Sequence, residues 1–311
     1  NNEIIGGYYG MSLYGGGLSG CVVSNNNVHD YYNTGLVVRN SDSNTFENND
    51  FHRAMRSSIS TFYGMRIGVS TRAIVRGNKV HDSGNGSYTC YGIEMQGAPN
   101  TGAAESHLYN NQIYNLGSTS STYGITLSNA TVRYMKVHHN TVVLDASGTG
   151  LRRGFYFNTN MDSNTIQNNM IVISGAGTGI KTGIYNNNAA TPMASDFNVI
   201  HVSGAGTLYF GRSSSTYRNT LADWQTATSL DASSLDSDPY LVDPANGDLT
   251  PLSMATDNLG TPISFVTMDA NGTARSATTP DAGAIEYTGI PGDLALSSIM
   301  LAQIDACYGS A

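Results

Sequence analysis

A three-part pattern recurs along the chain: an apolar residue, an asparagine, and a second apolar residue. Asn2, Asn26, Asn49, Asn78, Asn111, Asn140, Asn169 and Asn198 follow one another at steps of 24, 23, 29, 33, 29, 29 and 29 residues. Three residues before most of them stands Val23, Phe46, Val75, Leu108, Val137 or Ile166. Two residues after stands Ile4, Val28, Phe51, Val80, Ile113, Val142, Ile171 or Ile200. The unit reads as short strand, bend, short strand, and a period in this range marks a solenoid. Asparagine tolerates the left-handed backbone region better than other non-glycine residues. Each repeated Asn is therefore expected at the bend itself, with its amide stacked on the next.

Between the asparagines lies a second signature: Gly, apolar, any residue, apolar. It occurs at Gly10-Met11-Ser12-Leu13, Gly35-Leu36-Val37-Val38, Gly64-Met65-Arg66-Ile67, Gly92-Ile93-Glu94-Met95, Gly124-Ile125-Thr126-Leu127 and Gly154-Phe155-Tyr156-Phe157, with Gly183-Ile184-Tyr185-Asn186 as a weaker copy. Period-two alternation sends one side chain inward and the next outward. Each repeat thus supplies three short strands and no helix, and like strands pair in parallel. Crossover helices for a βαβ fold are missing, a propeller blade needs about 40 to 45 residues, and no strict hexapeptides mark a left-handed β-helix. The expected fold is all-β, a right-handed parallel β-helix of about eight coils. The coils span 1–215, followed by an irregular C-terminal closing segment at 216–288. At the β spacing, eight coils make a rod of roughly 35–40 Å.

Over about residues 1–210 the asparagine turn and its flanks resemble the pectate-lyase-like right-handed parallel β-helix superfamily. Further on, Leu221-Ala222-Asp223-Trp224-Gln225, Asp238-Pro239-Tyr240-Leu241-Val242-Asp243-Pro244, Asn246-Gly247-Asp248-Leu249, Asp269-Ala270-Asn271-Gly272-Thr273-Ala274-Arg275 and Asp281-Ala282-Gly283-Ala284-Ile285-Glu286-Tyr287 resemble a closing segment of bacterial β-helix repeat proteins. Such endings look like those of large secreted proteins of gliding, polysaccharide-using bacteria. The acidic residues there read as turn formers, and Asp269 with Arg275 is expected to brace a cap. Residues 289–311 resemble a linker and the truncated start of an immunoglobulin-like module. The resemblance implies a section of a large secreted or cell-surface protein, with neighbouring domains of the same chain as partners.

Composition narrows the partners. Only 12% of residues are charged, the net charge is -8, and there are 35 Gly and 19 Tyr. A negative chain does not attract nucleic acid or an anionic membrane, and no apolar run reaches membrane-spanning length. No signal peptide opens the chain, so Asn1 is expected to be an internal cut. Low charge with Asn, Ser and Thr at the surface suits an extracellular location. Cys21, Cys90 and Cys307 form no metal spacing, and Cys21, in Gly20-Cys21-Val22-Val23, is expected as a buried free thiol.

Enzymes on the scaffold that this chain resembles work on an outer face, where acidic residues hold calcium and an Arg or Lys takes a proton beside a uronate carboxylate. The outward positions of the Gly strands run Ser12, Val37, Arg66, Glu94, Thr126, Tyr156 and Tyr185. Two residues further they run Tyr14, Arg39, Gly68, Gln96, Ser128, Asn158 and Asn187. Arg39, Arg66, Glu94 and Gln96 are expected to form one patch, with a tyrosine run beside it. Arg66 and Glu94 read either as a cross-strand ion pair or as a catalytic pair, with Arg39, Gln96, Tyr156 and Tyr185 contacting substrate. The step of 33 places a longer loop, roughly 97–104, beside this patch as a cleft wall.

His29, His52, His81 and Tyr114 form a second outward column, readable as an aromatic stack or as transition-metal ligands. His138-His139 reads as polar turn sequence. No acidic cluster marks a tight calcium site and no metal site is assigned, although calcium remains a possible cofactor. No carboxylate pair stands on neighbouring coils as glycoside hydrolysis requires. Two functions follow: a rigid stalk or adhesin section that binds polysaccharide or cell-surface glycan through its tyrosine-rich wall, or a polysaccharide-cleaving lyase or hydrolase using Glu94 and Arg66.

Overall fold

The computed structural model describes residues 1–158, 162–188 and 193–289. Residues 290–311, with the expected immunoglobulin-like start and Cys307, lie outside the described residues. Three sheets wrap a common core, each built from one strand per coil. The post-turn sheet has eight strands, from Glu3–Ile5 to Val199–Val202. The pre-turn sheet has seven, from Val22–Ser24 to Ala194–Asp196. The Gly sheet begins at Tyr9–Ser19, and after Thr207–Ser213 a ninth, antiparallel strand, Thr216–Arg218, closes its edge. All other pairings are parallel, so the fold is a parallel β-helix. Val28, Phe51, Val80, Ile113, Val142, Ile171 and Ile200 stand in register from coil to coil and fill the interior.

The asparagine ladder is continuous. From Asn26 to Asn169, each Asn donates both its backbone N–H and its Nδ2 to the Oδ1 of the next, at 2.9 to 3.1 Å. From Asn49 on, Nδ2 also reaches a main-chain carbonyl of the preceding coil, as Asn140 does to Leu108 O at 2.9 Å. The left-handed residue is not the ladder Asn, as the sequence suggested, but the one before it: Asn25, Asn48, Gly77, Asn110, His139, Asn168 and Phe197. That neighbour makes the bend, which leaves the ladder Asn in ordinary backbone with its amide turned inward to satisfy buried groups. At the far end Asp231 takes over, accepting from Asn198 Nδ2, Ser195 Oγ, Ser234 Oγ and Trp224 Nε1. Trp224 belongs to α1 (Leu221–Thr228), which is started by a capping box between Thr220 and Asp223 and covers the last coil.

The strand glycines let two coil walls meet. A Cβ on Gly64 would stand 2.2 Å from Val80 Cγ1 and 2.7 Å from Gly92 O. Glycine thus occupies an inward position directly followed by another inward residue, Met65. At Tyr9, Tyr63 and Tyr91 the residue preceding the glycine is returned toward the outside, which enlarges the outer face beyond simple alternation.

Three cations lie inside the corners where the chain enters the Gly sheet. Arg53 donates to Ser83 O and Tyr32 O, with its guanidinium 4.7 Å from the Tyr88 ring centroid. Arg152 donates to Ser118 O at 2.9 Å, and Lys181 to Gly177 O at 2.6 Å. All three are buried and take main-chain carbonyls, not carboxylates, as partners. Cys90 is the buried free thiol, its pKa raised to about 11 by burial; Cys21 is only half-buried, because it sits in the first coil.

Beyond α1 the chain does not simply cover the end of the helix. It runs back along the outside, over coils laid down far earlier in the sequence. Leu249, Ala282 and Ile285 pack on Tyr114, Val143, Met170 and Val172. Asn110 donates to Met268 O at 2.7 Å, and Asn168 to Thr261 O at 2.7 Å. His139 is not simply polar turn sequence: it is buried and anchors the returning segment, with Nδ1 donating to Asp281 O at 3.0 Å and Nε2 accepting from Asn168. Its neighbour His138 is buried too, facing Phe265. Asp269 and Arg275 both brace this segment through different partners. Asp269 accepts the N–H groups of Asn271, Thr273 and Glu286, whereas Arg275 pairs with Glu286 at 3.1 Å and donates to Asn110.

Asn140→Ala deprives two Asn111 donors of their acceptor inside the core. It is expected to lower the unfolding free energy by about 3 kcal/mol. Replacing the exposed Asn158 should change it by less than about 0.5 kcal/mol. Urea denaturation of the two variants compares these directly.

Candidate functional site

The outer wall of the Gly sheet gathers most of the predicted site. Arg66 Nε lies 2.9 Å from Glu94 Oε2, and Ser128 Oγ donates to Glu94 Oε1 at 2.8 Å. Glu94 is only 5% exposed, so both oxygens are committed beneath the surface. In register, Gln96 faces Gly68 on one side and Ser128 on the other, and Gly68 faces Arg39. The glycine gap thus joins Arg39 to the patch, and Arg39 leans over the Tyr14 ring at 5.4 Å. The loop after Pro99 does not overhang Arg66 and Glu94 as a cleft wall. Its extra residues sit at the corner into the pre-turn sheet, beside Arg72, Ile74 and His107.

Tyr156 and Tyr185 belong to a longer run of rings. Tyr63, Tyr91, Tyr123, Tyr156 and Tyr185 follow one another with centroids 4.7, 5.0, 5.0 and 5.3 Å apart. The run crosses the wall diagonally, because its first three members are the residues that precede a glycine. The sequence signal was present in the repeated Tyr-Gly pairs at 63, 91 and 123, which strict alternation from the glycine places wrongly. The same rule hid Arg153, the residue before Gly154. Its guanidinium lies 4.4 Å from the Tyr156 centroid and 3.5 Å from that of Tyr185, with that of Arg212 also 4.4 Å from the Tyr185 centroid. Neither Arg153 nor Arg212 has a carboxylate partner among the described residues, and neither does Arg39. Burial raises the phenols of Tyr63 and Tyr156.

The histidine column is a stack. His29, His52, His81 and Tyr114 lie 5.0, 5.1 and 4.8 Å apart with nearly parallel rings. Adjacent residues in a strand point opposite ways, but Asp30 and Asp82 have φ of 55° and 44°. That left-handed turn brings Asp30 to His29 Nδ1 at 2.8 Å and Asp82 to His81 Nδ1 at 2.7 Å. His81 Nε2 meets Asp50 at 2.7 Å, and His52 Nε2 meets only Asn27 at 3.1 Å. Among the described residues no group of three or more His, Cys, Asp or Glu is placed to hold a metal ion.

Proton affinity therefore alternates along the stack. The bond to Asp30 raises the His29 pKa. For His81, burial opposes protonation, but Asp50 and Asp82 outweigh it and raise the value. Burial, helped by the neighbouring His81, lowers that of His52. Raised values mean that the stability from His29 and His81 is present below pH 6.5 and lost as pH climbs through their folded midpoints. Histidine NMR titration should give midpoints above 6.5 for His29 and His81 and below it for His52. Asp50→Asn should lower the His81 midpoint.

The fold has counterparts among known proteins. No curated protein matches the chain in sequence. Among solved structures, the complex of XylC with xylose superposes with a TM-score of 0.50 at 11% identity, covering 88% of this chain and 51% of that one. The chain thus spans about half the length of XylC, and the likeness is one of fold. A model of the right-handed β-helix region matches residues 9–220, the stretch that holds the coils and the tyrosine wall. With more than half of its length matched, the chain belongs to the right-handed β-helix family.

Proposed function

We propose that the protein is an extracellular β-helix module that holds an acidic polysaccharide along the tyrosine–arginine wall, as a stalk or adhesin section of a larger cell-surface protein. One observation carries this reading: Arg153, only 9% exposed, and the more open Arg212 lie against the rings of Tyr156 and Tyr185 with no carboxylate partner among the described residues. Aromatic faces take the apolar faces of sugar rings, and a guanidinium edge takes a sugar carboxylate in two parallel hydrogen bonds. The spacing of stacked coils repeats these groups along a line, as an extended polymer requires. Low overall charge and an Asn-, Ser- and Thr-rich surface support a place outside the cell. XylC, of the same fold, was solved with xylose, which makes carbohydrate the first ligand class to test.

Cleavage by Arg66 and Glu94 is the competing reading, and the geometry favours it less. A general acid must reach the glycosidic oxygen, whereas Glu94 is buried and held by Arg66 and Ser128. Among the described residues, the neighbours in register beside it are Arg66 and Thr126, with no second carboxylate.

Affinity electrophoresis in polygalacturonate or alginate, with chromatography for new short fragments, separates the two. Retention without fragments is expected, weakening with salt. It should fall about tenfold or more in Arg153→Met, since bonds to a charged group are worth roughly 1.5–3 kcal/mol. Fragments from the parent chain that vanish in Glu94→Gln would reassign the wall to catalysis.

A further inference from the structure

Around the edge of the helix from the tyrosine wall, at the asparagine turns, the returning C-terminal segment leaves a cleft of about 410 Å³ against the coils. This lies in the lower part of the range of about 300–1,000 Å³ for small-molecule sites. The turn residues build one side of it and the hairpin around Asn271 the other. The left-handed column of the turns explains its shape. Where the segment lies on the coils, Asn110 and Asn168 hydrogen-bond its main chain. Asn48, at the same place in an earlier coil, is exposed, and among the described residues its amide has no partner. Gly77, next in the column, leaves room for that amide, since a Cβ there would stand 2.3 Å from Asn48 Oδ1.

The cleft holds more acid than base, because Asp269 lines it and its one cation, Arg76, is paired with Glu47. Arg76 donates through Nε to Glu47 Oε2 at 2.8 Å and through Nη1 to the Tyr109 hydroxyl at 3.1 Å. Phe265 rises at the rim, 43% exposed, with one side packed edge-on against His107 at 4.4 Å. The cleft therefore offers an aromatic side chain, a free primary amide and a neutralised Arg–Glu pair within one small volume. Donor and acceptor side by side suit vicinal hydroxyls, and the Phe265 ring suits the apolar face of a pyranose. A full anionic group would meet Glu47 beside the one cation.

We propose that this cleft is a second carbohydrate site, taking one or two residues of a neutral sugar, with Asn48 and Arg76 as hydrogen-bonding groups and Phe265 as the stacking surface. It is separate from the acidic-polymer wall in position and in charge preference.

Titration calorimetry of the full chain with xylobiose, cellobiose and digalacturonate tests it, alongside Asn48→Ala, Phe265→Ala and the wall variant Arg153→Met. Heat is expected with at least one neutral disaccharide. Its affinity should drop about fivefold in Asn48→Ala, the loss of one ordinary hydrogen bond, and it should stay unchanged in Arg153→Met and insensitive to salt. Asn48 is exposed but holds a left-handed φ of 54°, so Asn48→Gly, which takes that backbone without strain, repeats the amide test even if Phe265→Ala loosens the segment. No heat with either neutral sugar overturns the proposal. So does binding that Asn48→Ala leaves intact, or binding lost in Arg153→Met alone, which would place the sugar on the wall. Failure of digalacturonate alone would count against the wall and leave the cleft standing.

Discussion

Each coil bends sharply inside an apolar interior, and there the N–H of each ladder Asn and a carbonyl of the preceding coil find their partners in asparagine amides. An unpaired buried amide costs about 1–3 kcal/mol, and every coil carries several. The ladder answers this once per turn with a side chain that donates and accepts on the same plane as the sheets. Its spacing is that of the β-helix itself, so the amides fix coil height and register together. Asp231 shows the same need at the end of the stack, where a carboxylate collects four donors because no further asparagine follows.

How much of this was legible follows from how local each feature is. The repeated Asn and the Gly strands are periodic, and periodicity in sequence becomes stacking in space. That gave the parallel β-helix and the inward phase of residues such as Phe51 and Ile171. The exact bend residue was not legible, since Asn25 and Asn26 are equally good left-handed candidates and only the hydrogen bonds tell them apart. Tyr91 and Arg153 were missed because an added inward glycine breaks alternation. The buried Arg53, Arg152 and Lys181 were missed because carbonyl partners belong to no residue type.

For the candidate site, the sequence found the adjacency of Arg66 and Glu94 but not its depth. Two residues that face outward by phase can still be covered when neighbours such as Ser128 and Tyr63 lean over them. The tyrosine wall owes its form to the same crowding. Rings at the coil spacing must stack, and the arginines that enter the stack gain ring faces in place of carboxylates. Electrostatics on this face is thus set by which charges lack a partner, not by the net charge of the chain.

The backward course of residues 249–285 has a kinetic meaning. A solenoid is nearly one-dimensional: each coil leans only on its neighbours, and folding can spread from either side. Here the middle and late coils wait for a strap encoded about 100 to 165 residues later, and until it docks Val143, Met170 and Val172 stand bare. The early coils, beyond the strap's reach, complete their contacts at once and afterwards open independently. Hydrogen exchange along the rod should therefore be graded, fast near Val23 and slow near Ile171, with the slow zone owing its protection to a later stretch of chain.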